Sequence, residues 1–90
     1  MARFEVYSAD MAIMGEQPAS ADILFQMGLD SACGRHHGVA DLVSAHKWFN
    51  IAALKGSMEA ARYRKEISFE MTRDEIAEAQ RSAREWLAMH

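Results

Sequence analysis

From Ala21 onward the apolar positions recur at steps of three and four residues, the period of a helix buried on one face. Each run opens on its own start signal. Ser20 stands as an N-cap before a helix predicted over 21–33, with Asp22 in the first turn to suit the helix dipole. Asp41 opens a second helix over 42–55, and Gly56 follows where a left-handed terminal residue belongs. Ser57 caps a third over 58–69. Thr72-Arg-Asp-Glu75 is a capping box that starts a fourth over 73–88. β-branched residues are scarce and nowhere alternate over a strand's length, so the expected class is all-α.

The stripes differ in kind. In the second helix Leu42, Ala45, Trp48, Phe49, Ala52 and Ala53 form the apolar face, with Lys47, Asn50 and Lys55 expected to point outward. In the fourth the face is Ile76, Ala79, Ala83, Trp86 and Leu87, while Glu78, Arg81 and Glu85 are spaced to pair on the outside. The first helix has a single polar line, Asp22, Gln26 and Asp30, among Ile23, Leu24, Phe25, Met27 and Leu29. That pattern predicts burial on more than one side. Residues 1–19 read as an extended or short helical segment, with Phe4, Val6, Met11 and Ile13 too many apolar groups for it to bury alone.

Ninety residues make one domain with a thin stability margin. Cys33 is the only cysteine, so no disulfide forms within the chain, and a lone thiol suits a reducing compartment. The net charge of −3 offers no field for nucleic acid. The early cluster Met11-Ala-Ile-Met14 is far too short for a signal sequence or a membrane span. The expectation is a soluble cytoplasmic protein.

Ala21, Leu24 and Gly28, then Gly34, Gly38-Val39 and Asp41, then Ala45, Trp48-Phe49, Ala52-Ala53, Gly56 and Ala60 are the positions that carry a family resemblance, and His46-Lys-Trp-Phe-Asn-Ile-Ala-Ala53 is its most specific string. The stretch from Ala21 to Ala60 resembles a Sel-1-like repeat, a bacterial relative of the tetratricopeptide repeat. The tail from Met71 through Trp86-Leu87 looks like the closing segment that often follows the last such repeat. The resemblance implies a helix-hairpin α-solenoid fragment of about four helices with a C-terminal capping helix, occupying residues 20–90. It also implies protein–protein interaction without catalytic residues. The chain departs from the pattern at Ser31, where a tyrosine is usual, and in the longer loop from Gly34 to Gly38. Only one full repeat is present, whereas about three are usually needed for a continuous core.

Chemistry has few places to reside. Cys33, His36, His37 and His46 are zinc-ligand types around a glycine loop. Adjacent histidines do not easily turn both rings to one ion, however, and His46 falls outside the aromatic stripe of its helix. Arg62, Arg64, Lys65 and Arg73 are interspersed with Glu59, Glu66, Glu70 and Asp74, which reads as a mixed charged surface. Glu75, Glu78 and Glu85 are accounted for by capping and surface pairing. No phosphate loop or nucleophile elbow is present. The sequence therefore predicts no enzyme, no metal and no cofactor.

The expected function is a binding module for another protein, with the contact surface on the first helix at Ile23, Met27 and Leu29, joined by Phe4, Val6, Met11 and Ile13. The alternative is a self-associating subunit, a two-fold homodimer using the same surface. A metal- or anion-binding loop at Gly34 to Gly38 is a remote third. The expected structural core is Ala21, Leu24, Gly28, Gly38, Ala45, Trp48, Phe49, Ala52, Ala53, Gly56 and Trp86.

Overall fold

The structure, a computed structural model, describes residues 20–35 and 38–90. Phe4, Val6, Met11, Ile13, His36 and His37 lie outside the described residues.

Four helices form, α1 (Ala21–Cys33), α2 (Leu42–Leu54), α3 (Met58–Ser68) and α4 (Arg73–Met89), with no strand among the described residues. Local chemistry sets where each begins. Ser20 Oγ accepts from the Ile23 amide at 3.2 Å, Asp41 Oδ1 from Ser44 at 3.0 Å and Ser57 Oγ from Ala60 at 3.1 Å. At α4 the capping box is reciprocal: Thr72 Oγ1 accepts from the Glu75 amide at 3.1 Å, and Glu75 Oε1 from the Thr72 amide at 2.8 Å. Each cap satisfies amides that a helix start otherwise leaves without partners.

Gly34 ends α1 in the left-handed region, with φ 72°. The Arg35 amide then donates back to the Asp30 carbonyl at 3.0 Å. The chain doubles back so tightly that a Cβ on Gly34 would meet the backbone of Val39. The Asp41 amide closes the loop onto the Ser31 carbonyl at 2.9 Å.

The tertiary organisation centres on α2. Helices α1, α3 and α4 all pack against it, and α1 meets α3 only along an edge. The core is Leu24 from α1, Ala45, Phe49, Ile51 and Ala52 from α2, Ala60 from α3 and Ala83 from α4. Phe49 is its largest fully buried side chain. Its ring lies 5.7 Å from both Phe25 and Tyr63, which meet each other edge-on at 5.4 Å. One aromatic cluster thus joins α1, α2 and α3. A second contact, Trp48 edge-on to Trp86 at 5.7 Å, joins α2 to α4.

This arrangement corrects three readings of the pattern. The enclosed helix is α2, not α1. Ile51 is fully buried although it lies off the apolar stripe, and His46 is buried too, because neighbours cover α2 on several sides. By contrast α1 buries only Leu24 and Gly28, and its polar Asp22 and Gln26 face outward. Asn50, expected to point outward, is half-buried and accepts from Arg64 Nη1 at 2.6 Å. Trp48 and Trp86 pack against the core but remain half-buried, and so do Ala21 and Ala53. Gly38 and Gly56 are exposed turn residues with φ 75° and 111°, outside the core in which they were expected.

Gly28 allows the closest approach. A Cβ there would run into the ring of Phe49. Gly28→Ala is therefore expected to destabilise by about 1–3 kcal/mol through overpacking, against a helix-propensity gain of about 1 kcal/mol. A thermal melt gives the sign directly, and a stabilised variant would mean that the two helices are further apart. Phe49→Ala is expected to cost about 3–5 kcal/mol, and the half-buried Trp48→Ala clearly less. Equal losses in denaturant titration would contradict the packing described.

Candidate functional site

His46 and Asn50 lie one turn apart on α2, so both face the same way. Arg64 and Ser68 are spaced equally on α3, and the antiparallel α2–α3 pair sets them opposite. Ile76 and Gln80 close the third side from α4. Together with Ala61 and Lys65 these residues line a groove of about 500 Å³.

The polar geometry of the groove is specific. The Asn50–Arg64 hydrogen bond fixes the guanidinium across the helix pair. The Ser68 hydroxyl donates to the Arg64 carbonyl at 2.7 Å, which ties the end of α3 to the same residue. Among the described residues no Asp or Glu lines the groove. Among the described residues the ion pairs are Arg35 with Asp30, and Arg81 with Glu78 and Glu85, so Arg64 carries no carboxylate partner.

His46 is the unusual member. It is 3% exposed, and its Nδ1 is buried with no hydrogen-bond partner. An unpaired buried polar atom costs about 1–3 kcal/mol and calls for a reason. Burial holds the imidazole pKa below its ordinary value, and the neighbouring Arg64 charge lowers it further. The ring is therefore neutral at neutral pH.

The residues singled out in the sequence are placed differently. On α1, Ile23 is 41% exposed, whereas Met27 and Leu29 are half-buried against the core. Cys33 is exposed, and no group of three or more His, Cys, Asp or Glu side chains converges as metal ligands among the described residues. Glu75 serves the capping box, and Glu78 and Glu85 both pair with Arg81. Arg62 and Arg73 are exposed while Arg64 turns inward, so the four basic residues do not form a patch. The groove itself was missed. Its signal was two polar pairs at four-residue spacing, His46 with Asn50 and Arg64 with Ser68, on helices joined by only Lys55, Gly56 and Ser57.

Comparison of the chain with family models, with curated proteins and with solved structures gives no match. No helix among the described residues is long and apolar enough to cross a membrane.

The lowered His46 pKa has a consequence for stability. The unfolded chain binds a proton near 6.5, whereas the folded one resists it, so the unfolded state gains protons first as the pH falls. His46 is expected to favour the fold fully above about pH 6.5. That contribution is lost as the pH drops from there toward the folded-state pKa. Proton NMR of the ring should show titration below 6.5, and His46→Phe should remove this part of the pH dependence. A ring titrating at or above the ordinary value would contradict its burial.

Proposed function

We propose that this domain is a non-catalytic module that holds another protein chain against the outward flank of α1, in the cytoplasm. The observation that carries this reading is the one-sided packing of α1. Its main support is α2, which leaves Ile23 exposed and Phe25, Met27 and Leu29 half-buried among the described residues. Apolar surface at the edge of a helix already anchored on its other side is suited to docking. A partner helix laid along α1 would bury Ile23 and the outer edge of Met27 one turn on.

The Sel-1-like resemblance supports the same reading. Its matched positions Leu24, Gly28, Ala45, Phe49, Ala52 and Ala60 fall at the buried contacts between α1, α2 and α3. An antiparallel hairpin packed through small residues is the unit from which helical solenoids are stacked. In such arrays the outer side of a unit's first helix packs against the neighbouring unit. The exposed thiol of Cys33 suits a reducing compartment.

Ile23→Asp tests the reading. The substitution lies on exposed surface and is expected to change stability by no more than about 0.5 kcal/mol. Affinity capture from the native host, run side by side on both forms, should recover a partner with the parent that the variant loses. A partner retained equally by the variant, or none recovered, would reject α1 as the docking surface. Light scattering of the purified protein reads out the remaining occupant, because a dimer that Ile23→Asp dissolves would make the partner a second copy.

A further inference from the structure

We propose that the groove between α2, α3 and α4 is a binding site for a small carboxylate, held by the guanidinium of Arg64 with His46, Lys65 and Gln80 around it. The site goes beyond the protein-docking reading and is independent of it, since α1 contributes no residue to the groove.

Three observations converge. The first is charge. The chain carries three more acidic than basic side chains, 13 against 10, yet among the described residues this groove is lined by two cations and no acid. The second is preorganisation. Only one guanidinium nitrogen of Arg64 is committed, to Asn50 Oδ1 at 2.6 Å, and this bond aims a planar fork that still has N–H groups to donate. The third is the His46 ring. It lines the groove, is all but buried, and leaves its Nδ1 without a hydrogen-bond partner. Helix-to-helix bonding accounts for Arg64 and Asn50, but it gives no reason for a histidine in this position. The Nδ1 atom itself has no surface open to the groove, so an anion there acts on the ring through charge. A bound negative charge offsets the repulsion between Arg64 and a protonated imidazole.

A carboxylate fits better than a phosphate. A single buried-edge guanidinium matches a planar singly charged group in the bidentate manner, and the second cation, Lys65, is exposed. The starts of α3 and α4 are both capped by the chain's own side chains, Ser57 and the Thr72–Glu75 capping box. The space of about 500 Å³ suits a small organic acid.

The test is a titration of the isotope-labelled protein with succinate, followed by NMR at the His46 ring and the Arg64 Nε–H. Ionic strength is held constant with sodium chloride. Saturable shifts at both groups are expected with succinate and not with chloride. Arg64→Gln removes the guanidinium and is expected to weaken binding about ten- to a hundredfold, the equivalent of one charge-assisted hydrogen bond. Lys65→Ala, in the lining but on exposed surface, is expected to weaken it a few-fold, and Arg62→Ala, exposed and outside the groove, is expected to leave it unchanged as the folded control. No saturation with succinate, or saturation unchanged in Arg64→Gln, would overturn the site. Tighter binding of inorganic phosphate than of succinate would overturn the carboxylate assignment. None of these outcomes depends on Ile23, so failure here leaves the α1 docking surface standing.

Discussion

The backbone of α1 comes so near to the ring of Phe49 that only a glycine fits at position 28, and most of the fold follows from that approach. With the ring seated there, Phe25 and Tyr63 close on it from α1 and α3. Ala45 and Ala52, about one turn to either side of Phe49, are fully buried and small enough to let neighbouring helices come close. The cluster is compact, and large aromatic rings supply area that a chain of ninety residues otherwise lacks. Every other placement is measured from this point. His46 and Asn50 flank Phe49 along α2, so the contact that seats the ring against α1 also turns these two polar residues toward α3 and α4.

Packing on several sides gives α2 a mixed surface that a one-sided helix would not have. Its Trp48 reaches α4 through Trp86, and the Lys47 ammonium lies 4.3 Å from the centre of the Trp48 ring. Both contacts sit partly in solvent, where a tryptophan face and a lysine stem shield each other. The fully apolar contacts are gathered instead around Phe49 and Leu24. Stability and polarity are thus divided along one helix. The α1 side is dry and tightly fitted, while the α3 and α4 sides hold the hydrogen-bonded Asn50 and Arg64.

Helix limits were legible because caps are local. Ser20, Asp41, Ser57 and Thr72 each announce a start through a side chain that reaches an amide three residues ahead, and no distant residue has to cooperate. Burial was less legible. Ile51 is buried because neighbouring helices crowd α2 on several sides, and their placement is a tertiary fact. A sequence with Lys47 and Asn50 on α2 reads as half-solvated, whereas α1, with one polar line, reads as enclosed. The reverse holds, because three helices crowd α2 while α1 packs mainly on α2 and only along an edge on α3. The groove was the least legible feature. Its residues come from three helices and are separated by up to thirty-four positions, from His46 to Gln80. No local motif announces such a set.

The groove and the α1 flank also make different demands on the same small core. Docking along α1 needs only that an apolar edge stay uncovered, which α1 achieves by packing mainly on α2. An anion site needs polar groups held partly out of water, and that is costly unless their partners are arranged in advance. The Asn50–Arg64 bond supplies such a partner for the guanidinium, and Ser68 anchors the same residue through its carbonyl. His46 has none. A leucine or methionine in its place would fill the space without an unpaired nitrogen and without the neighbouring positive charge acting on it. Packing alone therefore selects against histidine at this position, while a negative charge bound in the groove would weaken that preference by offsetting the charge of Arg64.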